Sequence, residues 1–193
     1  SRNIYQTGIL GRLVEWDGES TGDWIEELEA SRALINLTGR SIDCRHTPSN
    51  RQEILDSRIK STRVLGEALH HCIKPPAVWL NASSMALYGQ CIGGEEAHDE
   101  NSPIMKSGFL EEVTVAWEDE FFKFNSPNVR QVSMRISFIL GRSSGAFPLL
   151  KKLTSFGLGG KQGSGRQWMS WLHQDDWVGI ARFLLEKKDI TGP

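Results

Sequence analysis

A parallel, doubly wound α/β sheet is the fold class this sequence predicts, and three observations predict it. Short apolar runs alternate with helical patterns along the chain, the order expected of successive crossover units. Two of the runs, Ala33-Leu34-Ile35-Asn36-Leu37 and Ala77-Val78-Trp79-Leu80, are nearly continuous, the pattern of strands buried on both faces. Each runs out into small polar residues, Thr38-Gly39 and Asn81-Ala82-Ser83-Ser84, where a sheet of this class places its ligands.

The elements follow in chain order. Arg12-Leu13-Val14-Glu15-Trp16 alternates and is rich in strand formers, and Asp17-Gly18 ends it as a turn. Thr21-Gly22-Asp23 leads into a short helix over 24–29 with an acidic first turn suited to the helix dipole. The strand at 33–37 precedes a long helix over 50–72. There Ile54, Leu55, Ile59, Leu65, Leu69 and Cys72 recur at helical spacing, and Pro75-Pro76 stops the run. After the strand at 77–80, the pattern repeats with a helix at 109–122, a strand at 129–136 and a helix at 146–156. Pro148 near the start of that helix is tolerated in a first turn. A glycine-rich loop then separates it from a final helix over 175–186.

Composition sets the outer limits. The 193 residues are 39% hydrophobic and 24% charged, which excludes a disordered chain and allows one domain with a sizeable core. Twenty-two basic residues against 24 acidic ones leave a net charge of −2, so there is no electrostatic footprint for nucleic acid. No apolar run is long enough for a bilayer span. Three scattered cysteines (Cys44, Cys72 and Cys91) make neither a disulfide framework nor a zinc site, and a reduced, cytoplasmic protein is expected.

Three strand exits are the candidate ligand positions: Leu37-Thr38-Gly39, Asn81-Ala82-Ser83-Ser84 and Arg135-Ile136-Ser137. Their small residues let a ligand approach the backbone; each alone also reads as a tight turn. Ser83-Ser84-Met85-Ala86-Leu87-Tyr88-Gly89 carries the most chemistry, because a strand-end serine can bond a carbonyl or hydroxyl and Tyr88 can line the same cleft. Arg58 borders the apolar stripe of the long helix. A cation there binds a carboxylate, a phosphate or a developing oxyanion, or else closes a buried ion pair. His173, ahead of Asp175-Asp176, reads better as a helix-start residue than as a base. The run 157–165 lacks the residues of a phosphate loop, and Gly8-Ile9-Leu10-Gly11 imitates half a dinucleotide fingerprint but leads into a strand pattern.

The serine–tyrosine segment resembles the strand-end motif of extended short-chain dehydrogenases/reductases of the nucleotide-sugar epimerase type. Further segments match in the same order: Ile35-Asn36-Leu37-Thr38-Gly39-Arg40-Ser41-Ile42, Ser57-Arg58-Ile59-Lys60-Ser61-Thr62, Gly157-Leu158-Gly159-Gly160-Lys161-Gln162-Gly163-Ser164-Gly165-Arg166-Gln167 and Trp171-Leu172-His173-Gln174-Asp175-Asp176. The chain is thus similar to the atypical subgroup of the NAD(P)-dependent epimerase/dehydratase family whose members are commonly called epimerase family proteins and sometimes, mistakenly, cell-division inhibitors.

The resemblance implies a Rossmann-type domain across residues 1–193 and a nicotinamide cofactor crossing the strand ends. Leu37, Thr38 and Gly39 match the segment beside the cofactor's ribose and pyrophosphate, and Ser137 matches the nicotinamide end. Ser83 matches the subgroup's serine, whereas Ser84 aligns with the catalytic serine of extended epimerases; both stand. Arg2 falls at the end of the family's second strand, where a basic residue suits the 2′-phosphate of NADP(H), with NAD(H) as the alternative. Arg166 and Gln167 match a substrate-side loop that reaches a polar or anionic group. The expected activity is oxidoreduction at a hydroxyl or keto carbon of a small polar substrate, a nucleotide sugar among the options.

One departure opens a second class of function. Short-chain reductases place a tyrosine and, four residues on, a lysine that lowers the phenol pKa. If Trp117-Glu118 sets the register, those positions hold Leu110 and Thr114, which can do neither job. Tyr88 and Arg58 are the substitutes; the alternative is a non-catalytic NADP(H)-binding redox sensor. The comparison also implies that the first βαβ segment and a C-terminal substrate domain lie outside this chain, with the missing strands between those at Leu13 and Leu34.

Overall fold

Helix α1 (Pro48–His71) is the long element on which the first part of the molecule is built. Thr47 caps it by accepting from the Asn50 amide at 3.3 Å, and Pro48 opens it with a backbone angle already helical. The predicted stripe is buried at Ile54, Leu65 and Leu69, while Ser61, Gly66 and Ala68 supply small contact positions between them. The computed structural model describes residues 11–89, 98–105, 108–142, 147–161 and 163–193.

Strands β1 (Leu34–Asn36), β2 (Val78–Ser84) and β3 (Arg130–Ile136) form a sheet in that order. β1 and β2 run parallel, with Leu34 opposite Trp79 and Asn36 opposite Asn81, and α1 is their crossover. Helix α2 (Phe109–Lys123) connects β2 to β3. A second sheet pairs β4 (Phe138–Leu140) with β5 (Trp171–His173) in parallel. Helix α3 (Phe147–Ser155) lies between them in sequence, and α4 (Gln174–Glu186) follows β5 directly. The α/β architecture with parallel pairing is the one the alternation of patterns predicts.

The chain divides into two compact units. The first comprises Ser1–Ala82, Val115–Ser133 and Gly192; the second comprises Ser83–Thr114, Met134–Thr191 and Pro193. The first is organised round Val64, Leu65 and Leu69 of α1, with Trp79, Phe121 and Phe124 against them. The Trp79 ring meets Phe121 and Phe124 edge-on at 4.8 and 5.5 Å, a favoured aromatic geometry. In the second unit Leu87, Tyr88, Val113, Met134 and Leu184 are buried, and α3 has no buried residue.

Several expectations are corrected. Arg12-Leu13-Val14-Glu15-Trp16 is not a strand. Val14 and Trp16 pack against the core, and Trp16 meets Trp24 at 5.1 Å, so their alternation records one-sided packing. Gly11 therefore leads into irregular chain. The short helix is a 3-10 segment, Asp23–Glu27. β1 is not buried on both faces: Ile35 is exposed and Asn36 alone is fully buried. Conversely, β2 extends through Ser84, so Asn81, Ala82 and Ser83 are strand rather than exit. The pair β4 and β5, three residues each, was not read from the sequence at all. Among the described residues no helix is long and apolar enough to cross a membrane.

Candidate functional site

In the first unit the candidate residues gather where β1 ends. Asn36 donates to Asn81 Oδ1 at 2.7 Å and to Thr62 Oγ1 at 3.4 Å. Trp117 Nε1 donates to the same Thr62 oxygen at 2.9 Å, so the buried amides and hydroxyl are satisfied within β1, β2, α1 and α2. Asn36 Oδ1 then accepts from the Thr38 amide at 3.0 Å, turning the chain out of the strand. Leu37 is 60% exposed and Gly39 is exposed as well.

Arg58 lies beside this turn. Its Nη1 donates to Arg40 O at 3.1 Å and Ile54 O at 2.9 Å, and its guanidinium carbon stands 5.2 Å from the Trp117 ring centre. No acidic side chain pairs with it among the described residues. Burial lowers its pKa from the ordinary value, yet a guanidinium keeps its proton at any working pH. A β-carbon on Gly39 would stand 3.1 to 3.3 Å from the guanidinium atoms, so a side chain there would press on the cation. Exposed backbone beside a half-buried, acid-free cation is a donor set that suits a phosphate or another oxyanion.

The second unit holds the serine–tyrosine segment. Ser84 caps the 3-10 helix Met85–Tyr88 by accepting from the Ala86 amide at 3.1 Å, and Ser83 is buried in β2. Gly89 adopts φ +72°, a conformation that favours glycine, and Met105 side-chain atoms lie 3.1 Å from where its β-carbon would be. Tyr88 is buried, and its ring stacks on His98 at 5.6 Å. Its oxygen accepts from Arg135 Nη1 at 2.5 Å, which leaves the phenolic hydrogen to be donated elsewhere. Arg135 was not singled out in the sequence beyond its place at a strand exit. Its partner lies 47 residues away, and local pattern carries no signal of that contact.

On α2, Thr114 is buried and donates to Leu110 O at 2.7 Å, a side chain turned back on its own helix. Ser137 is half-buried between β3 and β4. Arg166 and Gln167 are exposed on the glycine-rich loop, where the Arg166 amide donates to Ser164 Oγ at 3.3 Å. His173 is the helix-start residue its context implied: Nδ1 accepts from the Asp175 amide at 3.2 Å, capping α4. Arg2 lies outside the described residues. The structure thus brings Thr38, Gly39 and Arg58 together in one unit, and Tyr88 with Arg135 in the other.

Comparison with known proteins gives these residues a context. The model of the NAD dependent epimerase/dehydratase family matches residues 3–192. The Epimerase family protein YfhF of Bacillus subtilis is 33% identical over 194 residues, covering all of this chain and 63% of that protein. A chloroplastic SDR39U1 homolog of Arabidopsis thaliana is 34% identical over 172 residues, covering 88% of this chain and 48% of its own length. Among solved structures, human SDR39U1 with NADPH superposes with a TM-score of 0.77 at 31% identity, covering 87% of this chain and 59% of that one. A nucleoside-diphosphate sugar epimerase from Corynebacterium glutamicum also gives 0.77, at 29% identity, covering 93% of this chain and 36% of that one. The chain spans 63% and 48% of the lengths of these two curated relatives.

Proposed function

From the premise that this chain belongs to the NAD-dependent epimerase/dehydratase family, we propose that it binds NADP(H) and carries out oxidoreduction at a hydroxyl or keto carbon of a small polar substrate. The observation that supports this most directly is Arg58, a half-buried cation without an acidic partner among the described residues, lying against Gly39 at the end of β1. Residues Leu37, Thr38 and Gly39 would hold the cofactor through exposed backbone, and Arg58 would neutralise one of its phosphates. Human SDR39U1, crystallised with NADPH, favours the phosphorylated form, as does Arg2 in the sequence.

The nicotinamide, when bound, supplies or accepts the hydride. Tyr88 is the proposed proton carrier: its hydroxyl hydrogen goes to the substrate oxygen during reduction and returns during oxidation. Arg135 donates to the Tyr88 oxygen, which leaves the phenolic hydrogen to be given elsewhere. Ser83 or Ser84 orients the substrate oxygen. Successive strand residues face opposite ways, so one of the two does this work, and Ser84 already spends a lone pair on the Ala86 amide. Ser137 is proposed at the nicotinamide end, and Arg166 and Gln167 at the polar end of a substrate such as a nucleotide sugar. The cytoplasm is the proposed compartment, from the scarcity of cysteine.

A second reading is a redox sensor that binds NADP(H) without turnover, favoured by the buried, self-bonded Thr114 and by Leu110 on α2. Titration with NADPH and NADH, followed by a turnover screen over sugar nucleotides and small carbonyl compounds, separates the two. The oxidoreductase reading expects NADPH to bind more tightly than NADH and at least one substrate to turn over. Arg58→Met should weaken NADPH roughly tenfold, the loss expected of one charge-assisted contact. Binding without turnover leaves the sensor, and failure of either cofactor to bind removes both readings.

A further inference from the structure

Arg40, the residue after Gly39, is gripped by α1 at both ends of its backbone and at its side chain. Its amide donates to Ser57 Oγ at 2.9 Å, and its carbonyl accepts from Arg58 Nη1 at 3.1 Å. Its guanidinium pairs with Glu53 and donates to Asn50 Oδ1 at 2.8 Å. Positions 50, 53 and 57 fall on one face of a helix, so the grip is a property of that face. Ser57 is fixed in turn, because its own hydrogen goes to Ile54 O at 3.0 Å and leaves the lone pairs for Arg40. Upstream, Asn36 holds the Thr38 amide. Downstream, Asn50 Nδ2 donates to Arg45 O at 2.6 Å and Arg51 Nε to His46 O at 3.2 Å. Leu37, Thr38 and Gly39, with Leu37 and Gly39 exposed and Thr38 half-buried, are bracketed on both sides.

We infer that Ser57 is a positioning residue: with Arg58 it clamps the Arg40 peptide and presets the backbone of Leu37, Thr38 and Gly39 for the nucleotide. The inference rests on the reading that this loop contacts the cofactor. A loop ordered when the chain folds does not charge that ordering to the binding step, so affinity rises without a new ligand contact. Ser57 reaches the ligand only through the Arg40 peptide. Glycine at position 39 and an extended exit from β1 would by themselves leave the loop among the least protected segments of the unit.

The test uses the full 193-residue chain with three variants, Ser57→Ala, Ser57→Thr and Arg40→Ala. Amide hydrogen exchange over residues 37–40, thermal unfolding and NADPH calorimetry are measured on each. Ser57→Ala should speed exchange at Thr38, Gly39 and Arg40 by about tenfold or more, with a melting temperature within about 3 °C of wild type. NADPH affinity should fall by roughly three- to tenfold, the share of ordering cost returned to binding. Ser57→Thr, which keeps the hydroxyl, should restore both. Arg40→Ala, which keeps the clamped peptide, should weaken NADPH less than Ser57→Ala. Exchange unchanged in Ser57→Ala, or a loosened loop with unchanged affinity, overturns the inference while the cofactor reading stands. Wild-type chain that binds neither NADPH nor NADH overturns the cofactor reading and this inference with it.

Discussion

In the roles proposed for them, Arg58 and Tyr88 pose opposite problems. A phosphate-binding Arg58 needs its charge available, and among the described residues it meets two carbonyls and an aromatic face but no carboxylate. Its charge does not titrate, so ligand affinity through Arg58 should be flat across neutral pH. A proton-carrying Tyr88 needs its oxygen held and its hydrogen available, and Arg135 donates to that oxygen. Tyr88→Phe removes the hydrogen and deprives Arg135 Nη1 of that acceptor. The expected outcome is a fall in turnover of about a hundredfold, in the range for loss of a general acid, with NADPH affinity unchanged by calorimetry. Equal losses in affinity and turnover would point to a packing role alone.

At the scale of elements, α1 and α2 are tied at Glu120. Its buried carboxylate accepts from Arg63 Nε of α1 at 2.7 Å and from Lys123 Nζ on its own helix at 2.7 Å. The Arg63 hydrogen bond, ahead of the Lys123 contact and against the opposing cost of burial, holds the Glu120 carboxyl below its ordinary 4.5. A depressed folded-state value means the stabilisation is complete above the ordinary value. It is lost as pH falls through the lower folded-state value. Both cations are largely exposed, which limits the contribution to about 1 kcal/mol or less. Glu120→Gln should therefore lower the urea midpoint at pH 7 and flatten its decline below pH 4.5, followed by tryptophan fluorescence. Parallel declines in both proteins would remove Glu120 from the acid response.

At the scale of the molecule, exposed apolar side chains concentrate in the second unit. Phe156, Leu158 and Trp168 are 70%, 72% and 69% exposed, and Phe138, Leu149 and Trp171 are also exposed. Exposed apolar surface binds hydrophobic dyes and favours association. The chain should enhance the fluorescence of anilinonaphthalene sulfonate at neutral pH, and Phe156→Ser with Leu158→Ser should reduce that signal without lowering the melting temperature. A signal the double variant leaves intact would locate the dye elsewhere.

The readable parts of the fold are those whose physics is local. The helical spacing of Ile54, Leu65 and Leu69 and the apolar run at Val78-Trp79-Leu80 foretold α1 and the core of β2, because each pattern registers one element's own burial. Gly39 was legible as a place of close approach, though not what approaches it. Tertiary structure decided the rest. Asn81 can be buried in β2 because Asn36, 45 residues away, donates to its Oδ1 and Ala82 O accepts from its Nδ2. Arg12 to Trp16 alternates like a strand but is irregular chain packed on the core, while β4 and β5 pair across the whole of α3 from three residues each. The Ser57–Arg40 and Tyr88–Arg135 contacts are likewise invisible to pattern. Periodicity records which face of an element avoids water; which distant hydrogen-bond partner meets a polar group is settled only when the chain is folded.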